Sequence, residues 1–142
     1  MRISKIHKAL ALFGLSGFEE IAGIPGTLGG MLYSNAGAFG STVSDFLDYA
    51  AVYDTEKQRR CILTRSELDF AYRHSAFIGG GLILLYARFT LRYAPSEDIT
   101  CLTNHFKGFK SQVIPRQTKK RPCMSFGQMI ITDYLFDFGR KL

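Results

Sequence analysis

A chain of 142 residues, 46% hydrophobic and 13% aromatic, is about one domain in size and carries enough apolar surface for an ordinary packed core, with no internal repeat or low-complexity tract. Its net charge of +6 is local: Lys107, Lys110, Arg116, Lys119, Lys120 and Arg121 supply six positive charges with no acid among them, and the remainder is close to neutral. Cys61, Cys101 and Cys123 form no C-x-x-C pair, which fits a reduced, cytoplasmic setting, and the longest apolar run, Gly79 to Tyr86, is too short for a membrane span.

In chain order, Ser4 is a candidate N-cap for a helix carrying Ile6, Leu10 and Phe13 at helical spacing, and Gly14 closes it in the left-handed conformation. The chain thus begins inside an element rather than with a leader or signal peptide. Ser16-Gly17-Phe18-Glu19 has capping-box form and predicts a helical turn that carries Phe18 and Ile21 inward. Pro25-Gly26 breaks the chain, and Thr27 caps a second helix running to about Asn35.

Tyr49 to Tyr53 and Arg60 to Leu63 read as a hairpin across the polar segment 54–58. Thr64-Arg65-Ser66-Glu67 is a second capping box, which delivers residues 69–74 onto a loop. Leu82 to Tyr93 reads as one long strand, with Ile83, Leu85, Ala87, Phe89 and Leu91 on its core face and Tyr86, Arg88, Thr90 and Arg92 opposite. Ser96 caps a last helix with Ile99, Leu102, Phe106 and Val113 on one stripe, ended by Pro115.

Two features carry chemistry. The glycine-rich stretch Gly23-Ile24-Pro25-Gly26-Thr27-Leu28-Gly29-Gly30 runs into a capped helix, so its backbone N–H groups suit a phosphate or pyrophosphate, with Gly26, Thr27, Gly29 and Gly30 as contacts. The pattern is neither a P-loop nor the G-x-G-x-x-G turn, and a tight structural corner explains the glycines as well. Tyr72-Arg73-His74 is the second: Arg73 can hold a carboxylate bidentately, or simply pair with Asp69. His74 reads as a scaffold residue, and His7 and His105 as ordinary helix residues. The basic stretch from Arg116 to Arg121 lacks interleaved aromatics, so a solvated connector outweighs a nucleic-acid surface.

Gly14-Leu15-Ser16-Gly17-Phe18-Glu19, Ala22-Gly23-Ile24-Pro25-Gly26-Thr27-Leu28-Gly29-Gly30, Asn35-Ala36-Gly37-Ala38-Phe39-Gly40 and Phe70-Ala71-Tyr72-Arg73-His74-Ser75 together resemble, in letters and in spacing, the UDP-N-acetylenolpyruvoylglucosamine reductase family. The resemblance runs from about Leu10 to Tyr93 and more weakly to Arg121. It implies an α+β fold, the second lobe of a vanillyl-alcohol-oxidase-type FAD-binding domain over residues 1–114, built from a mixed or antiparallel sheet with packed helices. Residues 115–142 are then a basic connector and the start of a substrate-binding lobe.

The activity implied is FAD-mediated reduction of the enolpyruvyl UDP-sugar by NADPH in peptidoglycan synthesis, in the cytoplasm. The resemblance places Ile24, Pro25, Gly26, Thr27, Gly29 and Gly30 with Asn35, Ala36 and Gly37 near the flavin, and no metal. It assigns Tyr72 and Arg73 to the substrate, Arg73 binding its carboxylate and stabilising the enolate-like intermediate. Three departures predict inactivity of the chain alone. The family's first FAD lobe has no counterpart before Ser4, and the lobe with the catalytic glutamate none after Leu142, so the neighbouring coding sequence is where both would be sought. At the proton-donor serine the best fit, Ser125-Phe126-Gly127-Gln128, puts Gln128. The rival reading is a non-catalytic module that binds an acidic partner or nucleic acid through residues 107–121.

Overall fold

The computed structural model describes residues 1–113; the predicted connector and lobe at 115–142, the end of α3 at Pro115, and the Ser125 and Gln128 positions lie outside the described residues. Helix α1 (Ile3–Leu12) buries Ile3, Ile6, His7 and Leu10, an i, i+3, i+4, i+7 stripe. Ser4 does not cap it. The cap position is Arg2, with no side-chain bond, and a tertiary contact starts the helix instead: Ile3 N–H donates to Gly26 O at 3.2 Å, Leu28 N–H to Met1 O at 3.0 Å, and Arg2 bridges Thr27. Gly14 ends α1 at φ 63° as the sequence predicts.

The Ser16 capping box is also replaced. Ser16 belongs to β1 (Leu15–Ser16), which pairs antiparallel with β7 (Arg92–Tyr93), and the Glu19 carboxylate accepts from Gly17 N–H at 2.8 Å. The turn still carries Phe18 and Ile21 into the core, where the Phe18 ring meets Phe46 and Phe89 at 5.3 and 5.2 Å. Helix α2 (Leu28–Tyr33) follows with Thr27 as its N-cap.

A short hairpin, β2 (Gly37–Ala38) and β3 (Ser41–Thr42), leads through a 3-10 turn at Val43–Phe46 into β4 (Leu47–Asp54). Strands β4, β5 (Arg59–Thr64) and β6 (Leu82–Phe89) form an antiparallel sheet in the order β5-β4-β6, so each described strand pair is antiparallel and the architecture is α+β. The core lies between this sheet and the helices, with Leu10, Phe18, Leu32, Val43, Val52, Leu68 and Phe77 among its members.

Two predicted faces are wrong in part. The pairing of β6 with β4 steps from Tyr86 opposite Ala51 to Leu84 opposite Val52, skipping Leu85. This bulge changes the phase of the strand, so Leu84 is buried and Ile83 exposed, and the strand breaks before Arg92 joins β1. In helix α3 (Ser96–Val113), Ile99 and Thr103 are buried, Phe106 half-buried and Leu102 exposed. Pro95 O accepts from Ile99 N–H at 3.2 Å, so Ser96 is the first helical residue rather than the cap. No helix among the described residues is long and apolar enough to cross a membrane.

Candidate functional site

The glycine-rich segment is pinned from both sides. Its Gly26–Leu28 backbone is clipped to residues 1–3, and Gly23 and Gly26 take φ values of 81° and 144°, which side chains rarely adopt. Pro25 and Gly26 are exposed, and a Cβ at Gly26 would meet no atom within 4 Å, so a flat ligand can lie directly on this backbone. A half-open cleft of about 410 Å³ lies between Gly23–Thr27 on one side, Arg2 at the α1 cap, Ser4 and His7 of α1, and Lys107 of α3. Arg2 and Lys107 make it cationic.

Some N–H groups of this segment are already engaged. Gly30 N–H donates to Thr27 Oγ1 at 3.2 Å, Leu28 N–H is taken by Met1 O, and Gly29 is buried. With six residues, α2 also has little dipole to offer. The segment is therefore a partly open wall in which part of the donor set is already taken.

At the far end of α2, about 9 Å along its axis at 1.5 Å per residue, Asn35 sits at φ 42°, with Asn35 N–H on Leu32 O and Ala36 N–H on Met31 O. This double bond pattern is a Schellman ending, with asparagine where glycine is commoner. Asn35 and Ala36 are buried, and Gly37 is packed so closely that a Cβ would stand 2.5 Å from Ser41 O. The β2–β3 hairpin thus supplies a packing reason for that glycine.

The structure joins this end of α2 to the Tyr72-Arg73 loop. Asn35 Nδ2–H donates to Ala71 O at 3.0 Å and Ser75 Oγ–H to Tyr33 O at 2.6 Å. Between these anchors Ala71 and His74 exchange backbone bonds of 3.2 Å, closing a two-residue turn with Arg73 at φ 54°. The Thr64 box contributes one half of its expected pattern, Thr64 N–H to the Glu67 carboxylate at 2.8 Å, and the turn after it buries Leu68. Asp69 pairs with His74, Nε2 to Oδ2 at 3.3 Å, not with Arg73. Arg73 makes no ion pair among the described residues; its guanidinium lies 5.9 Å from the ring of Tyr72, which is 92% exposed. An unpaired, exposed arginine on a left-handed turn is available to an anion.

His7 is the residue that sequence reading passed over. It is buried on the α1 stripe, its Nε2–H donates to Phe18 O at 2.7 Å, and Nδ1 lies 3.0 Å from Ile3 O. The signal available was its place at i+4 from Ile3 and i−3 from Leu10. Burial dominates and holds its pKa below 6.5; Lys107 pushes the same way, while Phe18 O, Ile3 O and Glu19 oppose. A group with a lowered folded pKa stabilises fully above its unfolded value and loses that contribution as pH falls through the folded one. Urea melts should therefore show stability falling below pH 6.5, by at most about 1.4 kcal/mol per pH unit. His7→Gln should flatten that slope, and an equal slope in both proteins would assign it elsewhere.

On α3, His105 and Phe109 group with Phe106 and with Phe39 from the β2–β3 hairpin, Phe39 to Phe106 being 5.0 Å. Lys107 of the basic stretch lines the cleft, and the side chains from Lys110 to Arg121 lie outside the described residues.

No family model matches the chain. A curated relative from Caldicellulosiruptor saccharolyticus, UDP-N-acetylenolpyruvoylglucosamine reductase, is 37% identical over 139 residues, covering 92% of this chain and 44% of that protein. Proteins of the same name from Agathobacter rectalis and Pseudothermotoga lettingae are 37% and 44% identical over 76% and 60% of this chain, or 32% and 29% of their own lengths. The crystal structure of UDP-N-acetylenolpyruvylglucosamine reductase from Thermus caldophilus aligns with a TM-score of 0.71 at 27% identity, over 78% of this chain and 41% of that one. The chain spans less than half the length of the curated relatives it matches.

Proposed function

We propose, from the premise that this chain belongs to the UDP-N-acetylenolpyruvoylglucosamine reductase family, that residues 24–37 form one wall of an FAD site and that Arg73 receives the substrate carboxylate. The observation that carries this reading is the pair of bonds, Asn35 to Ala71 O and Ser75 to Tyr33 O, by which two segments far apart in sequence share one end of α2. The open backbone at Gly26 and the cationic cleft beside it suit a planar, phosphate-bearing cofactor. Ile24, Pro25, Gly26 and Thr27 would hold its face, with Asn35, Ala36 and Gly37 framing the far end.

When bound, FAD supplies hydride chemistry with NADPH as the reductant, as the family resemblance implies. The chain's own contribution is at Arg73. Its guanidinium offers two parallel N–H donors to a carboxylate and stabilises negative charge that develops beside it during reduction. Tyr72 gives that cation an aromatic face.

Because the chain spans under half of its relatives, we further propose that by itself it binds FAD weakly and does not turn over the enolpyruvyl UDP-sugar. Titrating FAD into the purified chain and following quenching of flavin fluorescence tests the wall. Saturable quenching in the ~10–100 μM range, ~5.5–7 kcal/mol by the usual conversion, is the expected result. Adding the enolpyruvyl UDP-sugar should then perturb the Arg73 side-chain NMR signal, and Arg73→Ala should abolish the ligand's binding. No quenching at millimolar FAD would sink the reading.

A further inference from the structure

We propose that Asn35 is a positioning residue for Arg73, its side-chain amide fixing the Tyr72-Arg73 turn against the end of α2; the proposal deepens the functional reading above and rests on it for what Arg73 does. Two demands meet at Asn35. Its backbone must be left-handed, φ 42°, to complete the Schellman ending of α2. Its side chain must also donate across to Ala71 O, at 3.0 Å, in a site where the residue is only 7% exposed. Glycine meets the first demand and not the second. Aspartate tolerates the backbone but sets a carboxylate against a carbonyl, acceptor against acceptor. Asparagine meets both.

The receiving end is strained and otherwise lightly held. Arg73 sits at φ 54°, a conformation that persists in a residue with a side chain only when its surroundings hold it. On the outer side the turn has the His74–Asp69 pair, whose side chains are 47% and 80% exposed, so solvent weakens it. On the inner side it has two part-buried anchors, Asn35 on Ala71 before the turn and Ser75 on Tyr33 after it. One attaches to Tyr33, the last residue of α2, and the other to Asn35 just past its end, so the arginine turn is tied to the same helix whose other end carries the proposed cofactor wall. The Asn35 donor is thereby committed to protein, and its Oδ1 is buried without a partner, which leaves it no exposed atom to offer a substrate directly.

The test uses the full chain labelled with ¹⁵N and the variants Asn35→Gly and Asn35→Asp. In Asn35→Gly the amides of Ala71 and His74 should exchange at least tenfold faster, while those of Ala50 and Val52 in the sheet stay within twofold. Asn35→Asp should move the same two amides in the same direction. Phosphoenolpyruvate serves as the carboxylate probe: its shift of the Arg73 Nε–H signal should need at least fivefold more ligand in Asn35→Gly. Unaltered exchange at His74 in Asn35→Gly overturns the proposal. So does accelerated exchange throughout the sheet in both variants, since Asn35 would then be a general fold residue. Absence of any phosphoenolpyruvate shift in the unaltered chain counts against the functional reading alone, and the exchange comparison still decides the positioning role.

Discussion

Phe18→Ala is expected to destabilise the chain by about 3–5 kcal/mol, a large part of the ~5–15 kcal/mol that holds a domain of this kind. The side chain is 2% exposed, and its ring is gripped by Phe46 and Phe89 at 5.3 and 5.2 Å, so a cavity opens between the β1–α2 turn and the sheet. The same residue's carbonyl accepts the His7 bond, so α1 loses a partner if the turn shifts. Urea denaturation should show a lower midpoint at unchanged slope. Leu12→Ala is the control, since Leu12 is 77% exposed and should change stability by less than about 0.5 kcal/mol. A loss under about 1 kcal/mol for Phe18→Ala would mean that the ring cluster does not carry the packing assigned to it.

What could be read from the sequence was what neighbours along the chain decide. Thr27 caps α2 through a bond to a residue three positions on, Gly14 ends α1 by its own φ, and the β4–β5 hairpin closes across a short polar turn. What misled was decided by distant segments. Ser16 has the local form of a helix cap, yet its backbone is claimed by Arg92, and Ser4 is displaced as a cap because residues 1–3 pair with Gly26–Leu28. Strict alternation along β6 failed at the Leu85 bulge, which exists only because β4 sets the register on both sides of it.

The site divides in the same way. The glycine run and the Tyr72-Arg73 pair stood out as motifs, whereas nothing local tied them together or told Arg73 from an arginine paired with Asp69. The tie is two side-chain bonds, from Asn35 to Ala71 and from Ser75 to Tyr33, and the loss of the Asp69 partner follows from His74 taking it. His7 was passed over for the same reason: its significance lies in the Phe18 carbonyl that folding brings to it.

Gly37→Ala should cost about 1–3 kcal/mol, although replacing glycine by alanine elsewhere in an ordered chain often stabilises. An added methyl would stand 2.5 Å from Ser41 O, 2.8 Å from Thr42 Cγ2 and 3.1 Å from Thr42 Cα. Two of these are backbone atoms, so the methyl can be housed only by opening the β2–β3 hairpin. The hairpin is tied to the site on both flanks: Val43 N–H donates to Ala36 O next to Asn35, and Phe39 at its tip packs on Phe106 of α3. Gly30→Ala is the matched comparison, because only Thr27 Oγ1 lies near its added methyl, at 3.4 Å, and α2 is helical there. That variant should be neutral or more stable by up to about 1 kcal/mol. Thermal melts and FAD titrations of the two variants separate the roles of these glycines. Gly37→Ala should lose stability and flavin affinity together, since the far end of the proposed wall is displaced with the hairpin. Gly30→Ala should keep its stability, so that any loss of flavin affinity there reports contact with the ligand. Equal stability of the two variants would remove the packing explanation for Gly37.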